Sequence, residues 1–302
     1  MAEVDPIFAM MPEDDGFVFA VVDGALVDDL PQLLHGGGLV GRPLYVHLAS
    51  RRANAAGPWL VPCADDDAID WLRGVMPREA MVWWLWPGDT IDAASDAIYH
   101  HLRGLGMVEV PMARPGRTER TGPLVEKVLF RHADPHVLID LLPVLDARQR
   151  ARFWGAARAV VLDATRRGGL RRARAPKEAV LPAPGMLRLA PEQFAALEDR
   201  RAEASHARIG AWLSRHLPPQ LATMQQDELA GIAAQSEPSG REMGLASEAA
   251  LGRWTYLMLV TGGHVAEMAD VTGAIRDAAD AEAAVKAVMQ ATVADLRAKA
   301  GL

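Results

Sequence analysis

The chain has 302 residues, about half of them hydrophobic and a quarter charged, which is typical of globular rather than disordered proteins. Its formal net charge of −7 argues against general affinity for nucleic acids, because binding to phosphates needs a positive surface. The single cysteine, Cys63, excludes an intrachain disulfide and a cysteine-based metal cage.

The N-terminus and the apolar runs bear on localisation. The first fifteen residues contain five acidic side chains and lack the basic region and apolar core of a signal peptide. The densest apolar run, Met81 to Trp86, has the length of a strand and is too short to cross a bilayer. We therefore expect a cytoplasmic protein without a membrane partner.

Strand-like and helix-like segments alternate in the first half of the chain. Short apolar runs predict strands over 17–22, 44–48, 59–61, 81–86, 107–110 and 124–130. Apolar spacing and acidic helix starts predict helices over 25–34, 65–72 and 89–102. The last two strands flank a loop rich in proline, glycine and arginine, which predicts a long hairpin. The pattern favours an α/β lobe over residues 1–165, with a mixed sheet flanked by helices.

The segment from Phe130 to Gly155 carries the clearest local signals. Asp134-Pro135 predicts a helix start, because the carboxylate can accept from a free amide of the first turn and proline needs no amide partner there. Pro143 ends this helix. Asp146 then begins a second short helix that closes on Phe153-Trp154, with Gly155 available for a left-handed cap.

The second half of the chain has a different character. Residues 166–190 combine arginines with glycines and prolines, which predicts a basic linker. Residues 191–302 have helical spacing throughout and predict an all-helical lobe. Within that lobe, Leu251 to Val260 is apolar on every side, so it is expected to lie in the interior.

Several of these motifs, in this order, resemble the bacterial type VI secretion adaptor family, also called effector chaperones and long filed as a domain of unknown function. The resemblance covers roughly residues 17–160 and is carried by the following motifs: Val21-Val22-Asp23-Gly24-Ala25, Gly57-Pro58-Trp59-Leu60-Val61, Phe130-Arg131, Asp134-Pro135, Val137-Leu138, Leu141-Leu142-Pro143, Leu145 and Phe153-Trp154-Gly155. Members often have aromatic residues at the positions of His132 and Ala133, and an arginine at the position of His136.

The resemblance implies a protein that acts by binding, without catalysis and without a cofactor. Such an adaptor binds a toxic effector encoded nearby and helps to load it onto the VgrG spike, while itself remaining in the cytoplasm. We assign five residues to the framework of the first lobe and call them the scaffold signature: Asp23, Trp59, Arg131, Asp134 and Pro135. Within it, Arg131 is expected to pair with Asp23 or Asp134. The helical lobe is expected to contribute partner specificity.

A metal-dependent hydrolase is one alternative. His132, Asp134 and His136 alternate in sequence, so in an extended segment they would point to one face and could hold a metal ion. The opposing interpretation is that Asp134 caps a helix, so that backbone amides occupy its carboxylate. Pro135 favours the cap.

The remaining candidates are surfaces. The basic cluster Arg166 to Lys177 is either a solvated linker or a docking surface for an acidic partner segment, and a regulatory or nucleic-acid-binding module is a further alternative. One face of the tryptophan-rich strand could be exposed for binding, because aromatic residues carry interface energy. The candidates for partner binding are Trp84, Trp86, Arg171, Arg172 and Trp212.

Overall fold

The computed structural model describes residues 16–45, 50–112, 125–164, 169–178, 180–218, 221 and 223–300. Contacts divide the chain into two compact units, Met1–Leu197 and Glu198–Leu302. Within the described residues, no helix combines the length and hydropathy needed to cross a membrane.

The first unit contains a six-stranded sheet in the order β2-β3-β1-β4-β7-β8. Its strands are β1 (Phe17–Asp23), β2 (Arg42–Pro43), β3 (Pro58–Cys63), β4 (Met81–Trp86), β7 (Ala159–Ala164) and β8 (Gly169–Arg174), and all neighbouring pairs run antiparallel. The strand predicted over 44–48 differs: Leu44 and Tyr45 follow β2 without strand structure, and residues 46–49 lie outside the described residues.

A second, three-stranded sheet has the order β6-β5-β9. Its strands are β5 (Met107–Pro111), β6 (Val125–Leu129) and β9 (Leu187–Arg188). The antiparallel pairing of β5 with β6 confirms the predicted hairpin, while β9 runs parallel to β5 and makes this sheet mixed.

Helices cover both faces of the large sheet. The helices that precede β7 are α1 (Leu30–Gly36), α2 (Arg51–Ala55), α3 (Asp66–Val75), α4 (Ile91–Gly104), α5 (Pro135–Leu141) and α6 (Ala147–Trp154). Side chains of β1 alternate between two cores: Phe19 packs with residues of α4, α5 and α6, and Ala20 packs with residues of α1 and α3. The expected α/β lobe is confirmed, and it has two apolar cores, one on each face of the large sheet.

The prediction of a linker over 166–190 is wrong for the two parts of this segment that form strands. Gly169–Arg174 forms β8 against β7, and Leu187–Arg188 forms β9 against β5. Glycine, proline and arginine content reports local backbone preference, whereas strand pairing depends on partners distant in sequence. The basic segment is therefore partly an edge of the large sheet.

The second unit is all-helical, as predicted. Helix α7 (Pro191–His216) leads into it, followed by α8 (Gln226–Glu242), α9 (Glu248–Val260), α10 (Ala269–Arg276) and α11 (Ala281–Ala300). Helix α9 packs against α8 and α11, and it buries residues on all sides, including Leu251, Trp254 and Leu257. This confirms the interior position predicted for the apolar run as far as Leu257, whereas residues 258–260 at its end are half-buried.

Candidate functional site

An ion-pair network joins the end of β1 to the start of α5. Arg131 Nη2 donates to Asp23 Oδ2 at 2.6 Å, and Arg131 Nη1 lies 3.4 Å from Asp134 Oδ2. The Asp23 carboxylate is buried, and its Oδ1 also accepts from the backbone N–H of Ala25 at 3.0 Å. A buried carboxylate needs such partners because it has lost its water. The predicted pairing of Arg131 is confirmed, and it contacts both carboxylates at once.

Asp134 is also the N-cap of α5, as predicted. Its Oδ1 accepts from the backbone N–H of His136 at 2.9 Å and of Val137 at 3.4 Å. Pro135 occupies the first helical position, where a missing amide costs nothing. One oxygen of Asp134 thus caps the helix while the other holds Arg131 in place.

Tyr45 lies beside this network and does not titrate near neutral pH. Its hydroxyl donates to the backbone oxygen of Phe130 at 2.7 Å. Burial and the negative charge of Asp23 raise the pKa of Tyr45 to about 12. Burial lowers the pKa of Arg131, but its hydrogen bond and attraction to Asp23, together with Asp134, outweigh burial and raise that pKa. Groups whose pKa values lie so far from 7 are poorly suited to acid–base catalysis.

A surface cleft of about 230 Å³ opens next to the network, and we call it the Arg131 cleft. Its walls come from β1, α2, β3 and the segment from β6 to α5, and its lining is mostly small and apolar. The lining residues are Asp23, Ala25, Tyr45, Ala53, Ala56, Gly57, Pro58, Leu129, Arg131 and Ala133. The half-exposed Arg131 is already matched by two carboxylates, so the cleft presents no uncompensated positive charge.

Two glycines allow the backbone segments around the cleft to approach closely. A Cβ at Gly57 would lie 2.7 Å from the Tyr45 ring, and a Cβ at Gly24 would collide with the backbone oxygen of Ala55. The amide of Gly24 donates to the Gly57 oxygen at 3.0 Å. The Asp23-Gly24 and Gly57-Pro58 motifs therefore shape one wall together.

The structure does not bring His132, Asp134 and His136 together as a metal site. The His132 side chain is completely buried between Tyr45 and Phe130, Asp134 is engaged by amides and Arg131, and His136 Nε2 faces Glu79 Oε1 at 3.6 Å. Among the residues the structure describes, no three His, Cys, Asp or Glu side chains are grouped so as to hold a metal ion. The geometry gives the hydrolase alternative no support.

The predicted exposed tryptophan face of β4 is wrong. Trp84 and Trp86 are 0% and 4% exposed, and both belong to the core that packs against α4 and α6. Trp83 points to the opposite core and is also buried. Because both faces of the large sheet are covered, neither set of alternating side chains reaches solvent, and these residues are not available as partner contacts.

The other surface candidates are accessible to different degrees. Arg171 is exposed and Arg172 is half-buried on β8, at the end of the large sheet. Trp212, in α7, is half-buried and stacks on His216 with 4.5 Å between ring centroids. Trp59 donates from Nε1 to the backbone oxygen of Ala55 at 3.0 Å, which fits the scaffold role assigned to it.

Sequence reasoning missed the contacts of Tyr45 and His101. Tyr45 was assigned to a strand, yet it lines the cleft and contacts Phe130, 85 residues away. His101 Nε2 lies 2.8 Å from the Phe153 oxygen, and burial lowers the pKa of His101. Both contacts are long-range, so no local pattern reports them.

The comparison with family models gives a match that lies within the first unit. Residues 18–152 match the family described as Domain of unknown function (DUF4123). The DUF4123 match begins in β1 and ends within α6, so it includes the whole Arg131 cleft and the scaffold signature. No curated protein and no solved structure matches the chain.

Proposed function

We propose that this protein is a type VI secretion adaptor that binds a cognate toxic effector and helps to load it onto the VgrG spike. The observation that carries the proposal is the DUF4123 match over residues 18–152. It falls on the same part of the chain as the motifs that resemble the adaptor family. The ion pairs that join Arg131 to Asp23 and Asp134 support the proposal, because a framework contact is the role expected of scaffold residues.

The proposed action is stoichiometric binding without catalysis. Two groups with potential chemistry, Cys63 and Asp134, are held in unreactive states. Burial raises the pKa of the Cys63 thiol to about 12, and the Asp134 carboxylate is taken up by two amides and Arg131. A thiol in that state is not a nucleophile, because the thiolate is the reactive form.

The test is co-expression of the full chain with the toxic effector encoded by a neighbouring gene. We expect the pair to copurify by affinity capture and to stay together through gel filtration. We also expect deletion of the adaptor gene to abolish delivery of that effector while leaving other effectors unaffected. Delivery at an unchanged level without the adaptor, or failure of the pair to copurify, would contradict the proposal.

The helical unit is proposed to contribute partner specificity, and Trp212 is the residue we would change first. Trp212→Ala is expected to weaken effector capture by about tenfold or more, as loss of an aromatic contact at an interface does. The matched control is Trp71→Ala, because Trp71 is a half-buried tryptophan of the first unit. Thermal unfolding of both variants separates lost binding from lost folding. Equal capture by both variants would exclude Trp212 from the interface.

A further inference from the structure

Strand β8 forms one edge of the large sheet and is long enough to pair with another strand. The opposite edge is β2, which has only two residues, whereas β8 has six. In the part of the chain that the structure describes, β7 is the strand that pairs with β8. An unpaired strand edge presents a row of amide and carbonyl groups that can template an added strand.

The hydrogen bonds between β7 and β8 show which backbone groups of β8 face away from the sheet. The amide of Ala175 donates to the Arg158 oxygen at 3.0 Å, so the backbone of residue 175 faces β7. Alternation along an antiparallel strand then directs the amide and carbonyl groups of Leu170, Arg172 and Arg174 away from β7. We call these three residues the β8 edge.

Arginines give the β8 edge its charge. Arg172 lies opposite Val161, on the same face as Leu170, and Arg174 follows two residues later. Arg172 Nε is buried without a hydrogen-bond partner within the described residues. Burial and repulsion from Arg174 lower the pKa of Arg172, so the two cations lie close enough to oppose each other. Carboxylates placed beside them would relieve that repulsion.

A second copy of this chain does not suit the edge. Antiparallel pairing of two β8 strands would place arginines opposite arginines, and like charges directly opposite are destabilising. An acidic segment has the complementary charge, and an extended one can use the outward amides and carbonyls.

We propose that the β8 edge binds an extended acidic segment of a partner protein as an added strand of the sheet. Main-chain hydrogen bonds to Leu170, Arg172 and Arg174 provide the pairing, and carboxylates beside Arg172 and Arg174 provide the charge selectivity. The inference rests on the proposed function only for the identity of the partner, which would be the effector or the spike.

The test uses the full chain and dye-labelled peptides of about eight residues, the length of an ordinary strand. The probe alternates glutamate and threonine. One control peptide alternates lysine and threonine, and another carries a central proline that blocks strand pairing. Fluorescence anisotropy is expected to show binding of the acidic probe only, and hydrogen exchange should slow at the amides of Leu170, Arg172 and Arg174. Equal binding of acidic and basic probes, or no binding of either, overturns the proposal.

Substitutions separate charge from backbone pairing. Replacing both Arg172 and Arg174 with glutamate should weaken binding of the acidic probe at least tenfold, whereas Arg276→Glu, on the exposed surface of α10, should not. Arg174→Gln and Arg174→Pro both remove the charge, but only proline removes the outward amide. Because that amide faces away from β7, proline is tolerated there, and it should weaken binding further than glutamine does.

Other outcomes assign the edge to other occupants and overturn the proposal. Duplex DNA that competes with the acidic probe and binds more tightly would indicate a nucleic-acid surface. Probe binding that appears only after the acidic side chains of residues 1–15 are neutralised would indicate that the chain's own N-terminus occupies the edge. If the double glutamate variant self-associates and the wild type binds no peptide, the arginines serve only to keep the edge unpaired.

The same double variant distinguishes this inference from the proposed function. If wild type captures the effector and the variant captures it equally well, the edge is not used although the adaptor function stands. If wild type captures no effector but binds the acidic probe through the β8 edge, the proposed function fails while the edge remains a binding surface.

Discussion

Replacing His132 with phenylalanine should remove a large pH dependence from the stability of the protein. Its side chain is completely buried, and neither ring nitrogen has a hydrogen-bond partner among the described residues. The ring lies edge-on to Tyr45 and Phe130, with centroids 6.4 and 5.9 Å away. Burial and repulsion from His101 lower the pKa of His132 to about 4, against the attraction of Asp23.

The sign and size of the effect follow from this pKa. In the unfolded chain a histidine binds a proton below about pH 6.5, whereas the folded protein resists protonation down to about pH 4. The free energy of unfolding should therefore be insensitive to this group above pH 6.5 and fall as the pH drops from 6.5 toward 4. Linkage gives a loss of about 2 kcal/mol at about pH 5 relative to pH 7.5.

Urea unfolding at these two pH values measures the effect for wild type and for His132→Phe. The difference in free energy of unfolding between the two pH values is compared for each protein, because the effect of the substitution on packing is the same at both pH values and cancels. The variant should retain a weaker pH dependence, since His101 also has a lowered pKa. His100→Phe is the control, because His100 is exposed. If His132→Phe loses as much stability at low pH as wild type does, the imidazole is not buried as a neutral ring and the reasoning is refuted.

Three further predictions concern the network and the cysteine. Arg131→Ala should lower the free energy of unfolding by about 2 kcal/mol, because the buried Asp23 carboxylate then keeps only the amide of Ala25 as a partner. Arg131→Lys should lower it less, because lysine restores a positive charge beside Asp23. The loss for Arg131→Ala is smaller than that expected for a fully buried ion pair, because the Arg131 guanidinium is half-exposed and partly screened by water. A loss no larger than the error of a urea titration would contradict the role of the network in stability. Asp134→Ala should cost about 1 kcal/mol and Asp134→Asn less, because asparagine still caps α5; equal losses would point away from the cap. Native Cys63 should react with a disulfide reagent at least about a hundredfold more slowly than after unfolding, and rapid native labelling would contradict its burial.

The local structure around α5 and α6 could be predicted because its signals lie within a few residues of each other. Asp134 caps α5 as expected, and Asp146 forms a reciprocal cap with Gln149 at the start of α6. Gly155 follows α6 with φ of +52° and ψ of −118°, so it is not the left-handed helical cap that was predicted, although the positive φ still favours glycine. These features depend on short-range backbone chemistry, which a single sequence displays directly.

The errors arise where the fold joins distant segments. Alternation places Trp83 on one face of β4 and Trp84 and Trp86 on the other, but whether either face is exposed depends on where the helices pack. Residues of α1 and α3 cover one face of the sheet, and residues of α4, α5 and α6 cover the other. Likewise β8 could not be inferred from its own residues, because its pairing with β7 is a property of the sheet.

Motifs that are far apart in the sequence meet at the Arg131 cleft in the fold. Asp23 and Arg131 are 108 residues apart, yet they form the contact that links the large sheet to the segment after β6. Gly57 lies between them in sequence and against Tyr45 in space, on the same cleft wall. Each residue is accounted for by a framework contact. A partner surface that differs between adaptors for different effectors is therefore expected elsewhere, and the β8 edge and the helical unit are the places where substitution should change binding without disturbing this framework.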